Sequence, residues 1–224
     1  MAPKIAVLLA GCGHLDGAEV REAVLTLLAL DQHGAVFQCL APNANQHHVV
    51  NHVTGDVVEG QNRNILEEAS RIARVGQCLD ISQAQPDDFD ALVIPGGFGV
   101  AKNHCAFAFD GPRASVRQDV SGFIKTFFDA KKPVGAICIS PALVALILAE
   151  IGLQGKLTLG SGQGVKPAMD ALMQDHVETK SAREVVIDND LKLVTTPAYM
   201  FDNARLADVF IGIDRCVAEV LRMV

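Results

Sequence analysis

The chain has 224 residues, half of them hydrophobic and 20% charged, with a formal net charge of −7. That composition belongs to a globular protein with ample core, and the acidic balance, without a long Lys or Arg run, argues against a nucleic-acid face. Trp is absent and Tyr occurs once, so the chain offers no aromatic platform for stacking bases.

In chain order, residues 4–10 are a continuous apolar run, as expected of a strand covered on both faces. The run is too short for a secretory h-region and leads straight into the turn Gly11-Cys12-Gly13. Residues 18–32 carry apolar side chains at helical spacing, with Gly34 as a stop. A strand over 35–40, a helix over 64–75, a strand over 89–94 and a helix over 116–130 follow. Then come a strand over 134–137, a helix over 141–150, a short strand over 157–159 and a helix over 167–173. Residues 184–194 read as a hairpin turning at Asp188-Asn189-Asp190, and a last helix covers 204–223. Alternating strands and helices predict a mostly parallel sheet with helices on both faces. With no linker or repeat, residues 1–224 form a single predicted domain. The longest apolar run, 141–148, is far too short to span a bilayer, so no membrane role is expected.

The six cysteines, at 12, 39, 78, 105, 138 and 216, include no CxxC pair. Free thiols in a cytoplasmic protein are expected rather than a disulfide framework. His47, His48 and His52 lack a carboxylate at matching spacing in a β-branched segment. They read as solvated side chains, and no metal site is expected.

In such a sheet, ligands bind at the carboxyl ends of the strands. Three glycine-rich turns follow predicted strands there: "GCGHLDG" at 11–17, "PGGFG" at 95–99 and "GSGQG" at 160–164. The first does not have the GxGxxG spacing, the ribose-binding acid is missing after the second strand, and there is no GK[ST]. No nucleotide or other cofactor is expected.

Cys138 stands between a strand and a helix that Pro141 opens. A thiol there faces free backbone N–H groups and the positive end of a helix dipole, which favour the thiolate. A small buried hydrophobe is the competing reading. Glu19, in "DGAE" after the first strand, points to the same edge of the sheet. It could move protons beside the thiol, or merely favour the dipole of its own helix.

"GAE" after the first strand, "ALVIPGGFG" and "GAICISPA" resemble the PfpI branch of the class I glutamine amidotransferase-like superfamily. "GCG-x-x-DGAE", "PGGFGVAKN" and "VTTPAYM" look like the enhancing-lycopene-biosynthesis protein 2 group within it, the isoprenoid-biosynthesis proteins with an amidotransferase-like domain. The resemblance implies a flavodoxin-like three-layer α/β/α sandwich, with Cys138 as nucleophile and Glu19 as its acidic partner. It also implies cofactor-independent dicarbonyl chemistry of the glyoxalase kind, with backbone N–H groups near Gly97 and Ile139 holding an oxyanion. The late His of glutamine amidotransferases is missing from Thr195-Thr196-Pro197-Ala198, so His104 is the candidate replacement base. The alternatives are a redox-sensing regulator, with Cys12 as candidate partner of Cys138, and an amidotransferase-like subunit. A small aldehyde or dicarbonyl is the expected partner, and a homodimer the expected assembly.

Overall fold

The structure is a computed structural model describing residues 2–224. Its order is β1 (Lys4–Leu8), α1 (Val20–Gln32), β2 (Val36–Ala41), α2 (Ile65–Ala73), β3 (Cys78–Asp80), β4 (Ala91–Ile94) and α3 (Phe107–Asp110). It continues with α4 (Gln118–Asp129), β5 (Val134–Ile137), α5 (Ser140–Glu150), β6 (Lys156–Leu157) and α6 (Val165–Ala171). β7 (Asp175–His176), β8 (Val186–Asp188), β9 (Leu193–Thr196) and α7 (Leu206–Arg222) complete the chain.

Strands pair in the order β3-β2-β1-β4-β5-β9-β8. All neighbours are parallel except β8 and β9, which form the expected hairpin with Val186 opposite Thr195. The alternation of β1 explains the layers. Ala6 and Leu8 join Leu92, Phe127 and Leu143 in one core, while Ile5 and Val7 join Leu30, Ile65 and Val217 in the other. Successive strand side chains point to opposite faces, so each face of the sheet gains its own apolar layer beneath helices. The result is a flavodoxin-like α/β sandwich.

Two departures have local causes. Residues 157–159 do not join the main sheet; β6 pairs with β7 in a separate parallel pair, Lys156 opposite Asp175. β3, with only three residues and a partly exposed pattern, carries too little periodicity to be read in advance.

The order of strands reverses between β1 and β4, since the chain runs outward through β2 and β3 and then returns to β4 and β5. The crevice rule therefore selects the turns after β1, β4 and β5. The first two turns are pressed together. A Cβ on Gly97 would lie 2.3 Å from the Glu19 nitrogen, and one on Gly99 would lie 2.5 Å from Gly17. These glycines allow two backbones to touch, and the contact is fixed by Glu19 N–H donating to Gly96 O at 2.9 Å and Gly99 N–H to Gly17 O at 2.9 Å.

Candidate active site

Cys138 follows β5 directly and has φ = 60°, in the left-handed region. That conformation is uncommon for a residue with a side chain and costs about 1–2 kcal/mol. It turns the chain sharply from strand to helix, so the side chain stands over the carboxyl end of the sheet. Cys138 N–H is spent on Thr196 O at 2.9 Å, while the N–H groups of Gly97 and Ile139 donate towards the sulfur. Gly97 and Ile139 thus meet at Cys138, and both line the cavity beside it.

The carboxyl against the thiol is that of Glu22, which corrects the expectation for Glu19. Glu22 lies in the first turn of α1, fully buried. Its Oε2 accepts from Gly96 N–H at 3.0 Å and its Oε1 from Tyr199 N–H at 3.2 Å, and it shares a hydrogen bond with Cys138. Glu19 is the N-cap of the same helix, and its Oε2 accepts the Glu22 N–H at 2.6 Å. Glu19 lines the cavity, yet this oxygen is committed to the cap. The three-residue offset is what a helix start requires: the cap side chain folds back on its own backbone, and the residue one turn on is aimed elsewhere.

Burial, then the neighbouring Glu19 charge, raises the Glu22 carboxyl to about 8. At neutral pH it therefore holds its proton. Burial also pushes the Cys138 thiol well above its ordinary range, with Glu22 adding to the rise and the Gly97 and Ile139 N–H groups opposing it. The helix terminus expected to favour thiolate is thus outweighed by desolvation. The charge repulsion from Glu22 is present only when Glu22 is ionised, so the thiolate is most accessible while Glu22 keeps its proton.

The cavity has a volume of about 540 Å3, with His14, Arg21, Phe98, Tyr199 and Met200 among its walls. Tyr199 is delivered by the turn after β9, where Ala198 has φ = 43°. Arg21 donates to the Tyr199 hydroxyl at 3.1 Å, lies over its ring at 4.8 Å and pairs with Glu19 Oε1 at 3.3 Å. His14, Glu22 and Tyr199 were not singled out by sequence reasoning. The only sequence signals were a His inside the first glycine-rich turn and a second Glu one helical turn after Glu19.

Two further candidates lie elsewhere. His104 is fully buried at the end of a π-helical turn, Val100–His104, and is not among the cavity walls. Its ring nitrogens have no well-formed hydrogen bond, and burial lowers it to about 4. A base must reach a substrate proton, so the structure corrects that expectation. Cys12 is likewise absent from the cavity walls, and the charges acting on its thiol are those of Glu68, Arg71, Asp16 and Arg63. Two of those charges, Glu68 and Arg71, belong to α2, and no hydrogen bond links Cys12 to Cys138 among the described residues. Of the histidine group, His52 is bound into the fold, accepting from Leu15 N–H at 3.3 Å, and His47 packs on Phe109 at 4.4 Å. His47 and His52 are exposed and His48 is half-buried, so the group is largely solvated as expected, with these contacts along the surface.

The sequence profile of the DJ-1/PfpI family matches residues 16–205, a span that holds Glu19, Glu22, Cys138 and Tyr199. The chain belongs to this family. It is 38% identical to the human mitochondrial glutamine amidotransferase-like class 1 domain-containing protein 3, over 99% of this chain and 84% of that protein. It is 37% identical to the rat mitochondrial ES1 protein homolog, over 98% of this chain and 84% of that one. Among solved structures, it matches an isoprenoid biosynthesis protein with amidotransferase-like domain from Ehrlichia chaffeensis, at 41% identity and a TM-score of 0.91, covering 99% of both chains. Glyoxalase III from Candida albicans shares the fold, with a TM-score of 0.62 at 16% identity, covering 99% of this DJ-1/PfpI chain and 97% of that one. The names of the human and rat relatives carry a mitochondrial address, unlike the cytoplasmic one expected from sequence. Among the described residues of this family member, no helix is long and apolar enough to cross a membrane.

Proposed function

We propose that this DJ-1/PfpI protein converts small dicarbonyls such as glyoxal to 2-hydroxy acids, using Cys138 as nucleophile and Glu22 as proton carrier. The observation that carries this reading is the pairing of a sharply turned cysteine with a protonated, buried carboxyl beside a cavity. The Cys138 thiol first gives its proton to solvent; the thiolate adds to an aldehyde carbon, and the new alkoxide takes the proton of Glu22, giving a hemithioacetal. Glu22, now ionised, removes the C–H proton and returns it to the neighbouring carbon, while the hydroxyl proton passes to the neighbouring oxygen. The product is a thioester of the 2-hydroxy acid. Water then cleaves the C–S bond, releasing the acid and restoring the thiolate and the protonated Glu22. One dicarbonyl and one water give one 2-hydroxy acid, and no cofactor is consumed.

The Gly97 and Ile139 N–H groups, already aimed at the sulfur, support charge on an oxygen bonded next to it. The test is the appearance of glycolate from glyoxal with purified protein, alongside Cys138→Ser and Glu22→Gln. Production that persists in Cys138→Ser overturns the reading.

A further inference from the structure

We propose that Glu19 is a positioning residue: it fixes Glu22 through the α1 cap and holds a proton on it by its own negative charge, while Arg21 tempers that charge. The inference rests on the proposed pairing of Glu22 with Cys138 and assigns a role to the two charged side chains at the cavity rim.

The geometry is a chain of four groups. Tyr199 hydroxyl accepts from Arg21 at 3.1 Å, Arg21 pairs with Glu19 Oε1 at 3.3 Å, and Glu19 Oε2 accepts from Glu22 N–H at 2.6 Å. Glu22 itself is then held at both oxygens by Gly96 and Tyr199 N–H groups. Tyr199 therefore appears at both ends, donating its backbone N–H to Glu22 and accepting the Arg21 guanidinium on its hydroxyl. The loop closes on itself, so the cap and the reactive carboxyl are fixed by one turn of chain.

The titratable groups facing Glu22 are few. Cys138 comes from the β5–α5 turn, Glu19 from the N-cap of α1, and the Tyr199 phenol from the turn after β9, while Arg21 acts on Glu19 and Tyr199. The β4 turn contributes backbone only, through Gly96. α7, packed along α1, buries Val209, Ile213 and Cys216, and no carboxylate or base. Glu19 is thus the one anion beside a carboxyl that the reaction needs protonated. A like charge at close range disfavours a second ionisation. The Arg21 side chain is 60% exposed, so it weakens the effect of Glu19 without cancelling it.

Two variants separate charge from structure. Glu19→Gln keeps an acceptor for the Glu22 N–H and removes only the anion. Arg21→Gln removes the countercharge. In a ¹³C NMR titration of protein labelled at glutamate carboxyls, the Glu22 signal is identified by its loss in Glu22→Gln. Its midpoint is expected to fall by about one pH unit in Glu19→Gln and to rise in Arg21→Gln. A merely structural role for Glu19 gives no such opposed pair of shifts. A Glu22 midpoint that is unmoved in Glu19→Gln, or that moves the same way in both variants, overturns the proposal. The pH profile of Cys138 alkylation in Glu22→Gln tests the underlying pairing separately. A profile identical to wild type removes the Glu22–Cys138 reading, whatever the two glutamates do to each other.

Discussion

Glu22 Oε2 and Cys138 Sγ converge on one point above Gly96: a methyl group placed on that glycine would lie 2.5 Å from the oxygen and 3.0 Å from the sulfur. The corner is filled by the absence of a side chain. Gly96→Ala is therefore expected to push the two groups apart, with a loss of stability of about 1–3 kcal/mol and a marked loss of carbonyl turnover. Urea melts together with glycolate assays check both. Wild-type activity in Gly96→Ala would mean that the corner is looser than its geometry indicates.

Removal of the reactive groups has graded consequences. Cys138→Ala is expected to abolish dicarbonyl consumption. Glu22→Gln, which keeps the shape but cannot carry a proton between carbons, should reduce kcat by about 10²–10⁴-fold. Glu19→Gln should cost less than Glu22→Gln, and the reverse order of these two variants would restore Glu19 as the acidic partner.

Backbone strain at Cys138 predicts an unusual stability order. Its φ of 60° suits glycine, so Cys138→Gly should be more stable than Cys138→Ala by about 1 kcal/mol. Equal midpoints in denaturant would place the residue in an ordinary conformation in solution.

The pH dependence of stability follows from two buried groups. Glu22, raised to about 8 when folded, binds more protons than the unfolded chain between its ordinary carboxylate range and pH 8. Its contribution is complete at low pH and lost as pH rises. His104, lowered to about 4, binds fewer protons than the unfolded chain below its ordinary value of 6.5, so stability is lost as pH falls from there towards 4. Between pH 6.5 and 8 only Glu22 acts, and Glu22→Gln should flatten that limb. Below pH 6.5 the two contributions run in opposite directions, so His104→Phe should leave stability rising as pH falls, and Glu22→Gln should leave it falling. Urea midpoints across pH 4–9 measure both.

Oxidation should confine itself to Cys138 at the cavity. Peroxide treatment followed by non-reducing peptide mapping is expected to find no Cys12–Cys138 disulfide, because Cys138 lines the cavity and Cys12 does not. Recovery of that disulfide in native protein would reinstate the redox pair.

Much of this was legible in the residues themselves. Apolar runs such as residues 5–10, bounded by glycine turns, dictate buried strands, and the period of 116–130 dictates a helix, because burial on one or both faces leaves a pattern along the chain. The position of Cys138 between strand and helix was also local, readable from the apolar run before it and Pro141 after it. The choice between Glu19 and Glu22 was not. One caps the helix and the other lies in its first turn, with the same chemistry, and only the approach of the Gly96 and Tyr199 backbones, 74 and 177 residues distant along the chain, decides which carboxyl is buried against the sulfur. The same holds for His14 and His104. Each lies in the loop after a strand, His14 after β1 and His104 after β4, yet the π-helical turn carries one ring into the core and the glycine turn leaves the other at the cavity. Which side chain faces a site depends on contacts between distant segments, and such contacts leave no period in the sequence.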